Sequence, residues 1–200
     1  MEPEFGGVAA QYREKYDSYT KLLKTLLTEK RYHHTLCVAK EACRLAQKYS
    51  SNTEKAFLAG LLHDITKNFS EESQLQLFNE FGIILTELEK NAPKLWHAML
   101  GAAYIEKKLN ITDKDIINAV RYHTTARKNM SLLEKIIYLA DFTSEERDYD
   151  GVDEMRKNVD ISLEKAMSEA LIFSVEDLKK KGCPVHKDTY EAYEQYAITE

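Results

Sequence analysis

Residues 56–67, AFLAGLLHDITK, set His63 and Asp64 side by side inside an apolar run. Ala56, Phe57, Ala59, Leu61, Leu62 and Ile65 leave almost no polar face, and a helix that is apolar nearly all round is a buried one. Core packing asks for neither an imidazole nor a carboxylate at such positions. Leaving even an uncharged polar group buried without a partner costs about 2–7 kcal/mol, so Asp64 needs a cation or hydrogen-bond donors. Consecutive helix positions point roughly 100° apart, so the two side chains converge on one centre only at a helix end or a distorted turn. An irregularity is therefore expected just after Leu62. By itself the dipeptide suits a buried ion pair or a helix cap as well as a metal site.

The remaining histidines decide between these readings. The chain has six, and four fall on apolar faces. His34 shares a stripe with Val38, Ala42, Leu45 and Tyr49, which turns His33 toward the polar side. His97 lines up with Gly101, Tyr104 and Lys108, where Ala98, Gly101 and Ala102 permit close helix approach. His123 ends a helix with Ile116, Ala119 and Val120 behind it, and Asp141 closes a run whose Leu133, Ile137 and Ala140 face inward. His186, after Gly182 and Pro184, belongs to a turn. A structural account needs private partners for every interior group, whereas one shared metal cluster satisfies His34, His63, Asp64, His97, His123 and Asp141 together. Cys37, Cys43 and Cys183 lack C-x-x-C spacing and read as packing or surface residues.

This order of residues, H…HD…H…H…D in a helical chain, resembles the HD-domain metal-dependent phosphohydrolases. More narrowly, RYHHTLCVAKEA, AGLLHDITK, LWHAMLGA, RYHTT, MSLLEKIIYLAD and RDYDGVDEMRK resemble, in order and spacing, the bacterial YqeK-type symmetrical bis(5′-nucleosyl)-tetraphosphatases across residues 12 to 195. The resemblance implies cleavage of diadenosine tetraphosphate to two ADP. It also implies two metal ions, iron first and Mn, Co or Zn as alternatives. His34, His63, Asp64 and Asp141 would hold one ion, and Asp64, His97 and His123 the other. Two carboxylate oxygens make Asp64 the natural shared ligand, and such ions lower the pKa of a shared water from 15.7 toward roughly 7. Three departures stand out: Cys37 and Ala126 occupy positions where glycine is expected, and residues 143–150 lack the usual prolines.

Asp64 and Lys67 are the expected catalytic groups. Lys67, three residues past Asp64, shares its side of the helix and can meet a phosphate oxygen or simply be solvated. Thr124 is read as a phosphate donor or helix cap, and Arg127 and Arg147 as clamps for the distal phosphates. An HD nucleotidase acting on mononucleotides and a non-catalytic nucleotide-binding sensor are the alternative functions.

Composition narrows the setting. At 200 residues and 44% hydrophobic, the chain is expected to form one domain over residues 12–200, with residues 1–11 a disordered leader. A net charge of -5 without a basic stripe argues against nucleic acid. Apolar runs too short for a bilayer, and cysteines without a disulfide framework, point to the cytoplasm rather than a membrane. The expected partner is a dinucleoside polyphosphate or ADP, and a homodimer is the one assembly considered.

The expected fold is all-α, a compact helical bundle with the dinuclear site in its core. Ser51-x-x-Glu54 and Ser131-x-x-Glu134 read as capping boxes, and Pro93 as the start of the His97 helix. DISLEKAMSEALIFSVEDLKKK reads as one helix stopped by Gly182, and GIIL alone hints at a strand.

Overall fold

The chain is built from helices, and its computed structural model describes residues 3–197. In chain order these are α1 (Gly7–Lys15), α2 (Asp17–Leu26), α3 (Glu29–Lys48), α4 (Thr53–Leu62), α5 (Glu71–Phe81), α6 (Glu87–Lys90), α7 (Trp96–Lys107), α8 (Lys114–Tyr122), α9 (Leu132–Thr143), α10 (Val152–Ile161), α11 (Leu163–Lys180) and α12 (Lys187–Tyr196). A 3-10 turn over Pro93–Leu95 leads into α7, with the proline at its first position. No strand occurs among the described residues. The GIIL segment is instead a linker after Gly82, which ends α5 at φ 70°, and its Ile83 and Leu85 join the small core of Phe78, Phe81, Trp96 and Met99.

The AFLAGLLHDITK run forms the axis of the main core. Every residue of α4 from Ala56 to Leu62 is buried, as a helix without a polar face requires. Helix α3 is its main neighbour, and α8 and α9 pack on it as well. The α3–α4 crossing is close because position 60 has no side chain: a Cβ on Gly60 would lie 2.9 Å from the Ala39 Cα and 3.1 Å from the Val38 carbonyl oxygen. Gly101, read from the sequence as part of a close approach, is less demanding, since a Cβ there would meet Val120 Cγ1 at an ordinary 3.5 Å.

Several local readings change. The leader expected over residues 1–11 is helical from Gly7, because Ala9 is buried and Phe5 meets Phe57 with ring centroids 6.0 Å apart; Met1 and Glu2 lie outside the described residues. Tyr12 and Tyr16 also pack on Phe57, and the Tyr16 hydroxyl donates to Glu54 Oε1 at 2.5 Å. That bond draws Glu54 away from a capping box. Asn52, not Ser51, therefore caps α4, accepting from the Lys55 amide at 2.9 Å. The box at Ser131 and Glu134 is formed in full. The long helix expected over 160–181 is divided at Ser162, whose extended backbone (φ -154°) ends α10 and whose hydroxyl caps α11. Gly182, at φ 64°, supplies the expected stop.

The Gly60 crossing is directly testable. Gly60→Ala improves helix propensity yet forces α3 and α4 apart, and overpacking of this kind costs about 1–3 kcal/mol. The thermal midpoint of the variant is expected to fall by several degrees, at about 2–4 °C per kcal/mol for a chain of this length. An unchanged or higher midpoint would show that the crossing has slack.

Candidate metal centre

Five helices deliver the six expected groups to one point. His34 comes from the middle of α3, His97 from the first turn of α7 and Asp141 from the last turns of α9. His63 and His123 are the C-caps of α4 and α8. After Leu62 the chain leaves α-helical geometry as expected, through i→i+3 bonds from the Ile65 amide to Leu62, Lys67 to Asp64 and Phe69 to Thr66. This tighter winding lets the adjacent His63 and Asp64 face the same centre.

The two oxygens of Asp64 serve different sides. Oδ1 lies 3.1 Å from His97 Nε2 and 3.6 Å from His123 Nε2. Oδ2 lies 3.4 Å from His63 Nε2 and 3.8 Å from His34 Nε2. His34 Nε2 is also 3.0 Å from Asp141 Oδ1, and the His34 and His63 Nε2 atoms are 3.3 Å apart. Ligand-capable atoms of His34, His63 and Asp141, and of His63, Asp64 and His123, cluster within 4.8 Å. The distances nonetheless pair His97 with the second group, since its Nε2 is nearer to Asp64 Oδ1 than that of His123 and stands 3.2 Å from His123 Nε2.

The far side of the rings fixes which nitrogen is available. His63 Nδ1 donates to the Gly60 carbonyl and His123 Nδ1 to the Val120 carbonyl, each at 2.7 Å. A carbonyl can only accept, so each Nδ1 carries the proton and each Nε2 turns its lone pair inward. His34 Nδ1 is held by Glu146 Oε1 at 2.5 Å, a carboxylate–histidine pair of the kind that orients metal ligands. Glu146 was not found by sequence reasoning; only its nearness in sequence to Asp141 hinted at it. Arg31 was missed as well, and its Nη1 meets Asp64 Oδ2 at 2.8 Å.

Burial and charge set the protonation states. Burial would push the Asp64 and Asp141 carboxyls up, but the imidazoles around Asp64, and His34 with Arg147 beside Asp141, hold both well below the ordinary range. Burial lowers His63 and drives His97 down to about 4. For His34 burial also opposes charge, but hydrogen bonds to Asp141 and Glu146 prevail and raise it. Asp64 Oδ1 is a buried oxygen that accepts no hydrogen bond, with the Nε2 atoms of His97 and His123 3.1 and 3.6 Å away. This mixed nitrogen and oxygen donor set fits a divalent cation.

The expected substrate contacts divide. Lys67 Nζ stands 3.1 Å from His97 Nε2 at the edge of the cluster, and burial lowers its pKa. Thr124 directly follows His123, and its buried Oγ1 has no hydrogen-bond partner. Arg147 borders the cluster, pairing with the Asp141 carboxylate and donating from Nε to the Asp141 carbonyl at 2.6 Å. Arg127 is the exception. Its Nε and Nη2 both donate to the buried Glu134 Oε1, at 3.0 and 2.9 Å, and its guanidinium stacks on Tyr122, so it clasps the start of α9 instead of presenting its fork to the cluster.

The departures from the expected pattern also acquire a physical meaning. Ala126 sits at φ 55°, in the left-handed region that favours glycine. Cys37 is buried beside Glu145 and His33, and burial pushes its thiol well above the ordinary range. It is thus packed as a neutral thiol.

Comparison with known proteins agrees with this geometry. Residues 31–145 match the HD domain family and enclose all six groups. A symmetrical bis(5′-nucleosyl)-tetraphosphatase from Bacillus subtilis is 37% identical over 86% of this chain and 91% of its own length. Its counterpart from Halalkalibacterium halodurans is 36% identical over 89% and 95%. A crystal structure of an HD superfamily hydrolase from Clostridium acetobutylicum, described as involved in NAD metabolism, superposes with a TM-score of 0.87 at 40% identity, covering 92% of this chain and 96% of that one. On sequence and fold alike, the chain belongs to the HD-domain family and, within it, to the symmetrical bis(5′-nucleosyl)-tetraphosphatases.

Proposed function

We propose that this protein hydrolyses diadenosine tetraphosphate, and related dinucleoside polyphosphates, at the middle of the phosphate chain. Water adds to one inner phosphorus, the bond to the central bridging oxygen breaks, and two nucleoside diphosphates leave. The observation that carries this reading is the division of Asp64, whose two oxygens face separate groups of imidazoles. Asp64 would bridge two cations, His34, His63 and Asp141 completing one set and His97 and His123 the other. Bound there, two divalent metals would supply an activated water and polarise a phosphoryl oxygen, which makes a protein nucleophile unnecessary. Iron is the first expectation by resemblance, and Mn, Co and Zn suit the same donors.

The chain's own part is positioning. The Gly60 and Val120 carbonyls and Glu146 hold three imidazoles in one orientation. Lys67, half-buried at the edge of the cluster, would turn its ammonium toward a phosphate oxygen, and Thr124 would donate its unpaired hydroxyl to another. Arg147 stands ready for a more distant phosphate. Arg127 would reach a phosphate only by giving up its bonds to Glu134. The free cysteines, together with the absence of any membrane-length apolar helix among the described residues, support action in the bacterial cytoplasm.

Product analysis tests the reaction. Metal-loaded protein given diadenosine tetraphosphate is expected to yield ADP alone; AMP with ATP, or hydrolysis confined to mononucleotides, would contradict the symmetrical reading. Asp64→Ala is expected to lose both bound metal and hydrolysis, and retention of both would remove the bridge. For Glu146→Ala, chelator competition should show metal affinity weakened about 10–100-fold. Undiminished affinity would make Glu146 a bystander.

A further inference from the structure

Beside the metal cluster lies a cavity of about 450 Å³, bounded by the Pro93 turn, Thr124, Phe142 and the α11 face that carries Phe173 and Asp177. Two clefts of about 290 Å³ flank it. One reaches Lys67 and His97 and shares Pro93 and Lys94 with the cavity; the other reaches Asp141 and Arg147 and shares Phe142, Phe173 and Asp177. The cavity thus shares walls with clefts at both edges of the cluster, and Thr124 and Phe142 directly follow His123 and Asp141 in the chain.

Phe173 is the unusual member of this wall. It is 43% exposed, lines both the largely apolar cavity and the more charged cleft of Asp141, Arg147 and Lys181, and has its ring centroid 5.4 Å from Tyr149 and 6.2 Å from Phe142. A core aromatic would be covered, and an isolated surface aromatic would have no aromatic neighbours. A partly exposed ring that lines a cavity and is braced by two others suits the stacking of a flat heterocycle. We infer that this cavity is a nucleoside subsite in which one base of the substrate stacks on Phe173, with the Asp177 carboxylate favouring bases that carry an amino donor. The occupant follows from connectivity. A phosphate chain centred on the cluster must carry its nucleosides outward along the clefts, where Lys67, Lys94 and Arg147 supply positive charge. The inference rests on the dinucleotide reading for its choice of occupant.

Calorimetric titration with ADP, using the metal-loaded protein and two variants, tests it. Phe173→Leu keeps apolar volume against Phe142 and Tyr149 and removes the ring face, so the dissociation constant for ADP and the KM for the dinucleotide are expected to rise on the order of tenfold. Phe173→Trp retains a ring and is expected to bind within about twofold of the parent. The metal content of each variant reports that the cluster is intact. Parental affinity in Phe173→Leu would overturn the subsite. So would a change in oligomeric state with affinity unaltered, because the patch would then be an interface between copies. If the parent binds ADP in a Phe173-dependent way but leaves the dinucleotide uncleaved, the functional reading fails and the subsite stands.

Discussion

The structure depends on a carboxylate that is buried without a hydrogen-bond partner of its own on one oxygen. Asp64 Oδ1 lies in the core, facing imidazole nitrogens. Moving a carboxylate out of water costs several kcal/mol even after local relaxation, which Arg31 on Oδ2 and a cation held by the surrounding imidazoles would offset. Two helix ends follow from this requirement. α4 and α8 both stop where a histidine must turn its Nε2 inward, and in both the Nδ1 proton is spent on the carbonyl three residues earlier. The same bond satisfies an orphan carbonyl of the last turn, so the helix terminus and the ligand orientation are one feature.

Scaffold and site are coupled through a few close contacts. Gly60 admits α3 close enough for His34 to reach the cluster, and the Gly60 carbonyl orients His63. The aromatic packing of Phe5, Tyr12 and Tyr16 on Phe57 anchors the opposite end of α4. Side chains are thus fixed at both ends of the helix that carries the HD pair, which is the rigidity a preorganised site needs.

The all-helical fold and the convergence of the six groups were legible because polar residues on apolar stripes are costly and therefore informative. His34, His97 and His123 could each be placed on a helix face by spacing alone. Contacts between distant segments were not legible. Glu146 carries no periodic signal, and its role depends on the loop after α9 folding back over His34. Spacing gave no sign that Arg127 pairs with Glu134, which also closes the Ser131 cap. Ser51 was misjudged for the same reason, since Tyr16, 38 residues from Glu54, competes for that carboxylate. Local propensity does not register such competition.

The central claim is that Asp64 joins two metal positions. Anomalous diffraction from crystals of the metal-loaded protein, recorded at the absorption edge of the bound metal, measures this directly. Two peaks are expected, one between Asp64 and the His34–His63–Asp141 group and one between Asp64 and the His97–His123 pair. A single peak confined to one group, or peaks away from Asp64, would contradict the account.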